Sequence, residues 1–164
     1  MTEPQAADFI LYPCDPRSAF SSRFVGAGEL LVGLGGRGET TQYSHAAIKA
    51  VNPGYQYEAK FPLTGHFKID TSRIYEVWRI GNPTDAQRAG ILKWCKDHEH
   101  RPYDVLGVLT GGRLSIPGTY YCSRYGCLAY ASQGLHPGDL IMSPNSIPMY
   151  PKARMIYRFT PEDR

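Results

Sequence analysis

The sequence lacks the features that mark several broad classes of protein. Its 18 basic residues contain no run of five, and the net charge is only +3, so the basic footprint of a nucleic-acid-binding surface is missing. No stretch approaches the ~20 apolar residues that a membrane-spanning helix needs. The opening residues, MTEPQAADFILYPCDP, do not place a basic stretch before an apolar core, as a secretory signal does. We therefore expect a cytoplasmic protein without stable membrane insertion and without a nucleic-acid partner.

Cysteine is scarce: the four residues lie at positions 14, 95, 122 and 127. No two of them form a C-x-x-C pair, and in a cytoplasmic chain we expect them to be reduced. Cys95 begins a C-x-x-H-x-H string with His98 and His100, but no second ligand cluster accompanies it. We therefore predict neither a metal site nor a cofactor.

The composition that remains is that of one soluble globular domain. The chain has 164 residues, of which 42% are apolar and 20% are charged, which is enough to bury a core. Twelve tyrosines against six phenylalanines indicate a surface or cleft with many amphipathic rings.

The order of predicted elements favours an α+β fold, because strands come first, helices follow and a strand ends the chain. Residues 1–27 are predicted to be an irregular arm. A capping box at Thr84 and Gln87 predicts the start of the first clear helix. The other predicted helices are Tyr103–Leu109 and Tyr121–Gln133, the latter closed by Gly134, and the predicted strands are Glu29–Leu34, Ser44–Val51, Tyr55–Phe61, Phe67–Ile69, Ile74–Ile80 and Arg154–Phe159.

Cys122 is a candidate nucleophile because it lies at the start of a predicted helix. The free N–H groups and positive dipole end of that first turn stabilise a thiolate. The alternative for any single cysteine is a small buried hydrophobe, and we assign that role to Cys14, Cys95 and Cys127.

His45 and Glu58 are the candidate base and its orienting carboxylate. His45 lies inside an apolar strand, where a histidine is either packed in a core or directed into a cleft. The turn at Asn52-Pro53-Gly54 predicts that residue 50 faces residue 55 and that 47 faces 58, which makes Glu58 a diagonal neighbour of His45. A slip of one residue in the register would turn Glu58 toward the other face of the sheet.

Five segments in this order resemble a known family: GELLVGL, YSHAAI, YEA, PYDVLG and YYCSRYG. They are similar to the YiiX-like proteins, the permuted branch of the papain-like NlpC-type superfamily, over a match from about Gly28 to the segment SPNSIP at 143–148. The resemblance implies an antiparallel sheet or small barrel packed against helices. It also implies a cysteine hydrolase with Cys122 as nucleophile, His45 as general base and Glu58 as third polar residue, acting on a peptide, a lipid or a small acylated molecule.

Two alternatives remain open at this point. The fold could serve as a binding module with a silent thiol, its tyrosines lining a recognition groove. The glycine loop at 33–38 is also a literal G-x-G-x-x-G, and Glu58 follows twenty positions after Gly38, as in a dinucleotide-binding fold. The segment after that loop has poor helical periodicity, however, so the motif lacks its structural context. The predicted specificity loops, 35–43 and 110–120, contain no motif that indicates a substrate.

Overall fold

The computed structural model describes residues 3–14, 43–135 and 143–163. Six strands and three α-helices make up the described fold. The strands are β1 (Phe9–Pro13), β2 (Tyr43–Lys49), β3 (Tyr55–Lys60), β4 (Leu63–Lys68), β5 (Tyr75–Ile80) and β6 (Ala153–Phe159), and the helices are α1 (Asp85–Asp97), α2 (Val105–Leu109) and α3 (Cys122–Ala131). Short 3₁₀ turns occupy Pro144–Ser146 and Pro161–Asp163.

The strands form a single antiparallel sheet in the order β4-β3-β2-β1-β5-β6. The predicted α+β class is therefore confirmed. The prediction allowed an antiparallel sheet or a small barrel. The described strands form an open sheet, with β4 and β6 at its edges.

The prediction of an irregular arm over residues 1–27 is wrong for Phe9–Pro13, which forms strand β1 between β2 and β5. Its first four residues, Phe9 to Tyr12, are all buried. A central strand covered on both faces is a continuous apolar run without alternation, and so it lacks the periodicity that identifies a half-buried strand. Pro13, at its end, interrupts the ladder with a bulge.

The predicted helix after Pro83 is confirmed. Thr84 is its N-cap and accepts a hydrogen bond from the Gln87 N–H, while the Gln87 side chain accepts one from the Thr84 N–H. The third helix is shorter than predicted, because it ends at Ala131 with Ser132 as its C-cap. Gly134 lies two residues beyond the cap, where it takes the positive φ of +69° that glycine adopts readily.

Strand β4 begins at Leu63, four residues before the predicted start at Phe67. Pro62 and Gly65 interrupt the sequence pattern there, as strand breakers do. In the fold, Gly65 lies beneath the ring of Phe67, whose Cε2 is 3.0 Å from where a β-carbon would be. The ring covers the gap that the glycine leaves, so the strand continues.

The register between β2 and β3 agrees with the prediction from the turn. Ile48 faces Tyr57 and Lys49 faces Gln56, and the Ala50 N–H donates to the Tyr55 carbonyl at 3.0 Å. Among the described residues, the paired part of this ladder ends there, so positions 47 and 58 lie just past it.

Helices α1 and α3 cover one face of the sheet. The main core lies between that face and α1 and α3, and Phe9, Ile48, Ile91 and Tyr125 are among its fully buried members. A smaller cluster that includes Ile10, Tyr12, Ala47 and Val77 lies on the opposite face. Gly126 sets the distance between α3 and the sheet, since a β-carbon there would be only 2.6 Å from the Phe9 ring.

Candidate active site

Cys122 is the first residue of α3, one residue after the predicted start of that helix at Tyr121. It is buried, and α3 packs against both β2 and β3. Tyr121 is the N-cap, but its side chain does not cap the first turn. The N–H groups of that turn and the positive end of the helix dipole therefore lie beside the sulfur.

The fold brings His45 into contact with both of its predicted partners. The Nε2 atom of His45 is hydrogen-bonded to Oε2 of Glu58, and the His45 side chain also forms a hydrogen bond with Cys122. Only 18% of the His45 side chain is exposed and only 4% of the Glu58 side chain. The three predicted site residues thus form one continuous polar contact, past the end of the β2–β3 ladder.

Charges in this contact favour a protonated imidazole. Burial acts to lower the pKa of His45, but the Glu58 carboxylate and the hydrogen bond to Cys122 together outweigh it and raise that pKa to about 10. Burial likewise acts to raise the pKa of Glu58, but the neighbouring His45 holds it below its usual range. At neutral pH the pair is therefore an imidazolium and a carboxylate.

Two residues that the sequence pattern did not single out hold Glu58 in place through hydrogen bonds. Gln56, two positions earlier on the same face of β3, is hydrogen-bonded to the Glu58 side chain, and its Oε1 accepts a hydrogen bond from the Tyr12 hydroxyl at 2.8 Å. Tyr12 faces His45 across the β1–β2 ladder, with 5.7 Å between ring centroids. A hydrogen-bonded row therefore runs from Tyr12 through Gln56, Glu58 and His45 to Cys122.

A second buried carboxylate, Asp104, holds the segments around the start of α3. It caps α2 by accepting from the Gly107 N–H at 2.8 Å, and it accepts from the Ser115 hydroxyl. Arg124, two residues after Cys122, pairs with it at 3.4 Å. The Asp104 N–H also donates to the Tyr120 carbonyl at 3.0 Å, so this residue joins α2, the loop after it and the first turn of α3.

Tyr103 lies between these two groups. Burial and the nearby Cys122, Asp104, Tyr121 and Glu58 all raise its pKa, so its hydroxyl is a neutral hydrogen-bond donor. Tyr103 belongs to PYDVLG, one of the segments that carry the family resemblance. Nothing in the spacing of that segment predicts that Tyr103 lies close to Cys122.

The SPNSIP segment at 143–148 packs against the start of β2. The Asn145 Oδ1 accepts a hydrogen bond from the Tyr43 N–H at 2.8 Å, and Ile147 is fully buried in the main core. The segment thereby fixes the strand two residues before His45.

The other predicted candidates lie apart from this contact. Cys95 and Cys127 are buried, and burial raises the pKa of each thiol. All four cysteines are in the described ranges, and none forms a disulfide. His98 caps α1 and stacks on Trp94, with centroids 3.9 Å apart. The glycine loop at 33–38, the strand predicted at 29–34 and the loop at 35–43, apart from Tyr43, lie outside the described residues.

The described residues do not fit a metal centre at this place. Glu58 engages Nε2 of His45, which leaves the other ring nitrogen and the Cys122 sulfur as two donors, whereas zinc sites use three or four protein ligands. Within residues 3–14, 43–135 and 143–163, no group of three or more His, Cys, Asp and Glu side chains is arranged to hold a metal ion. Nor does any helix in these ranges have the length and apolar character to cross a membrane.

The fold is similar to that of a solved structure, the metalloprotein yiiX from Escherichia coli O157:H7. The TM-score is 0.67 and the identity is 16%, with 97% of this chain and 99% of that chain covered. No protein-family model matches the sequence, and no curated protein matches it. The predicted resemblance to the YiiX-like proteins is therefore confirmed for the fold.

Proposed function

We propose that the protein is a cysteine hydrolase that cleaves an amide or ester bond through an acyl-enzyme on Cys122. The observation that carries this proposal is the position of His45, which contacts the thiol on one side and a buried carboxylate on the other. A nucleophile, a base within hydrogen-bond reach and a third group that orients the base are the parts that covalent catalysis requires. The order of these residues, with the histidine on an early strand and the cysteine late, also supports a permuted papain-like NlpC-type fold.

In this mechanism Glu58 holds Nε2 of His45, and the remaining nitrogen, Nδ1, faces the sulfur. The imidazolium stabilises the Cys122 thiolate, which attacks the acyl carbon of the substrate. The backbone N–H of Cys122 donates to the developing oxyanion. His45 then gives its proton to the leaving amine or alcohol as the carbon–nitrogen or carbon–oxygen bond breaks, which leaves a thioester on Cys122.

Hydrolysis of the thioester restores the site. The now neutral His45 takes a proton from a water molecule, whose oxygen attacks the acyl carbon. The carbon–sulfur bond breaks, the carboxylic acid leaves, and the imidazolium–thiolate pair forms again. This scheme needs no cofactor, because each proton that the site releases returns to it.

Selective alkylation tests the proposal. A small haloacetamide, followed by intact-mass and peptide analysis, is expected to label Cys122 at least about tenfold faster than Cys14, a partly exposed thiol that serves as internal comparison. The His45→Ala variant is expected to remove that difference. Esters and amides with a chromogenic leaving group then test turnover, with Cys14→Ala as the matched control for Cys122→Ala. Equal labelling of all four cysteines, unchanged by His45→Ala, would support a binding module instead.

A further inference from the structure

Five large apolar side chains are exposed within twelve residues of α2 and the loop that follows it. We call this surface the apolar platform; its members are Val105, Leu106, Leu109, Leu114 and Ile116, each between 39% and 58% exposed. Single exposed apolar residues are normal on a soluble protein, whereas a contiguous group of this kind marks a surface that binds something.

Hydrogen bonds hold the loop that carries Leu114 and Ile116 against α2, which carries the other three members of the platform. The Thr110 hydroxyl donates to the carbonyl of Leu106 at 2.8 Å and accepts from the Leu114 N–H at 3.0 Å, which folds the loop back onto the helix. The Ser115 hydroxyl is bonded to Asp104, which brings Ile116 beside the start of α2.

The platform adjoins the candidate nucleophile. Asp104, which caps α2, is joined to Tyr120 through the backbone and to Arg124 through its carboxylate. Gly107 lies directly against Tyr121, since a β-carbon there would be 2.9 Å from the Tyr121 ring. Helix α2, which carries three of the five apolar side chains, therefore lies beside the start of α3, where Cys122 is buried.

The exposed charged residues next to the platform in the sequence have a single sign. Residues 105–119 contain no aspartate or glutamate. Arg113 is exposed within the loop and Arg101 is exposed just before α2, whereas Asp104, which lies between them in the sequence, is buried and paired with Arg124. An apolar surface bordered by cations fits an anionic interface with a hydrocarbon interior.

We propose that the apolar platform binds the acyl chains of an anionic lipid surface and presents a long-chain acyl ester or amide to Cys122. The choice of scissile bond rests on the proposed function, whereas the binding itself does not. The hydrocarbon covers the five apolar side chains, the arginines contact the anionic headgroups, and the acyl carbonyl reaches the first turn of α3. Among peptides, lipids and small acylated molecules, the platform thus favours the lipid.

Vesicle co-sedimentation of the full chain carrying Cys122→Ala tests the binding without turnover. Phosphatidylcholine vesicles that contain phosphatidylglycerol are expected to bind the protein, and pure phosphatidylcholine vesicles to bind it more weakly. The double variant Leu106→Ser/Leu114→Ser is expected to lose about tenfold or more in binding, because the hydrocarbon then no longer covers two exposed leucines. Arg113→Gln is expected to weaken binding only to the anionic vesicles.

The matched control is Val51→Ser/Met155→Ser, which removes two exposed apolar side chains, 69% and 50% exposed, from the β2–β3 turn and from β6. It is expected to bind as the parent does, and cooperative thermal unfolding checks that both doubles are folded. Absence of vesicle binding, or equal loss in the two doubles, would overturn the proposal. A dimer in sedimentation velocity that becomes monomeric only in Leu106→Ser/Leu114→Ser would also overturn the proposal, since a second copy of the chain would then cover the platform. Labelling of Cys122 in the unmutated chain reports separately on the proposed function.

Discussion

Glu58 and Asp104 are both buried carboxylates close to Cys122, but they hold different kinds of partner. Glu58 binds an imidazole, whose charge changes with protonation, and is itself held by Gln56. Asp104 binds a backbone N–H, a hydroxyl and a guanidinium, which keep their charge at any ordinary pH. One carboxylate therefore controls a group that can exchange protons, and the other fixes the backbone around it.

This difference separates reactivity from stability. Paired carboxylates next to titratable groups are typical of catalytic sites, whereas a carboxylate with only permanent donors is typical of a helix cap or a buried ion pair. Substitution of Glu58 is therefore expected to change the chemistry more than the fold, and substitution of Asp104 the reverse.

The largest expected effect is that of Glu58→Gln on the reaction. The amide keeps the shape of the side chain but removes the charge that holds the imidazolium, so we expect turnover and Cys122 labelling to fall about 100-fold. The free energy of unfolding is expected to fall as well, by about 2 kcal/mol, because a buried hydrogen bond between two charged groups is lost. Ester hydrolysis and urea denaturation measure the two quantities, with Glu162→Gln, on an exposed glutamate, as control. Full activity in Glu58→Gln would show that the carboxylate is only structural.

Asp104→Asn is expected to act on stability. It replaces an acceptor-only carboxylate and weakens the contact with Arg124, which should cost about 2 kcal/mol in the free energy of unfolding. Labelling of Cys122 under native conditions is expected to change less than about tenfold.

The control for this variant is Asp97→Asn, because Asp97 forms an exposed pair with Lys93 at 2.5 Å that is worth about 0.5 kcal/mol or less. Urea denaturation measures both variants. If Asp104→Asn left stability unchanged and abolished labelling, the contrast between the two carboxylates would be wrong.

The sequence was sufficient to predict the strand side of the site, because local signals determine it. The turn at 52–54 set the register of β2 and β3, and that register brought Glu58 to His45. The start of α3 at Cys122 was also predictable within one residue. Both depend on residues close together in the chain.

The support around the site depends on long-range pairing, and for that reason the sequence did not reveal it. Tyr12 bonds to Gln56 across 44 positions, from a strand whose sequence lacks the alternation that predicts one. Asp104 and Arg124 are 20 positions apart and on different helices. Composition and periodicity carry no information on such pairs, which only the assembled sheet and helices bring together.

A smaller effect, with a clear sign, concerns the protonation of His45. Its pKa is raised to about 10, so between pH 6.5 and 10 the folded protein holds a proton that the unfolded chain releases. Its contribution to stability is full below pH 6.5 and declines as the pH rises through that window, by on the order of 1 kcal/mol per pH unit at most.

Imidazole NMR resonances recorded from pH 5 to about 9 measure the protonation of His45 directly, because an unperturbed histidine titrates within that range. The His45 signal is expected to remain that of an imidazolium at pH 8. In Glu58→Gln, burial is no longer outweighed, and we expect the His45 titration to move to lower pH. A His45 signal that titrates alike in both proteins would contradict the role of Glu58.

The smallest expected effect tests whether the missed strand matters to the site. Tyr12→Phe keeps the ring against His45 but removes the hydroxyl that donates to Gln56. Gln56 then holds Glu58 less firmly, and we expect a loss of about 1 kcal/mol in stability together with about a threefold slower turnover. Tyr157→Phe, on an exposed tyrosine of β6, is the control in both assays. The loss of stability is a direct structural effect, whereas the loss of turnover acts through Gln56 and Glu58. If stability falls while turnover stays at the unmutated rate, the row of hydrogen bonds that matters to catalysis ends at Glu58.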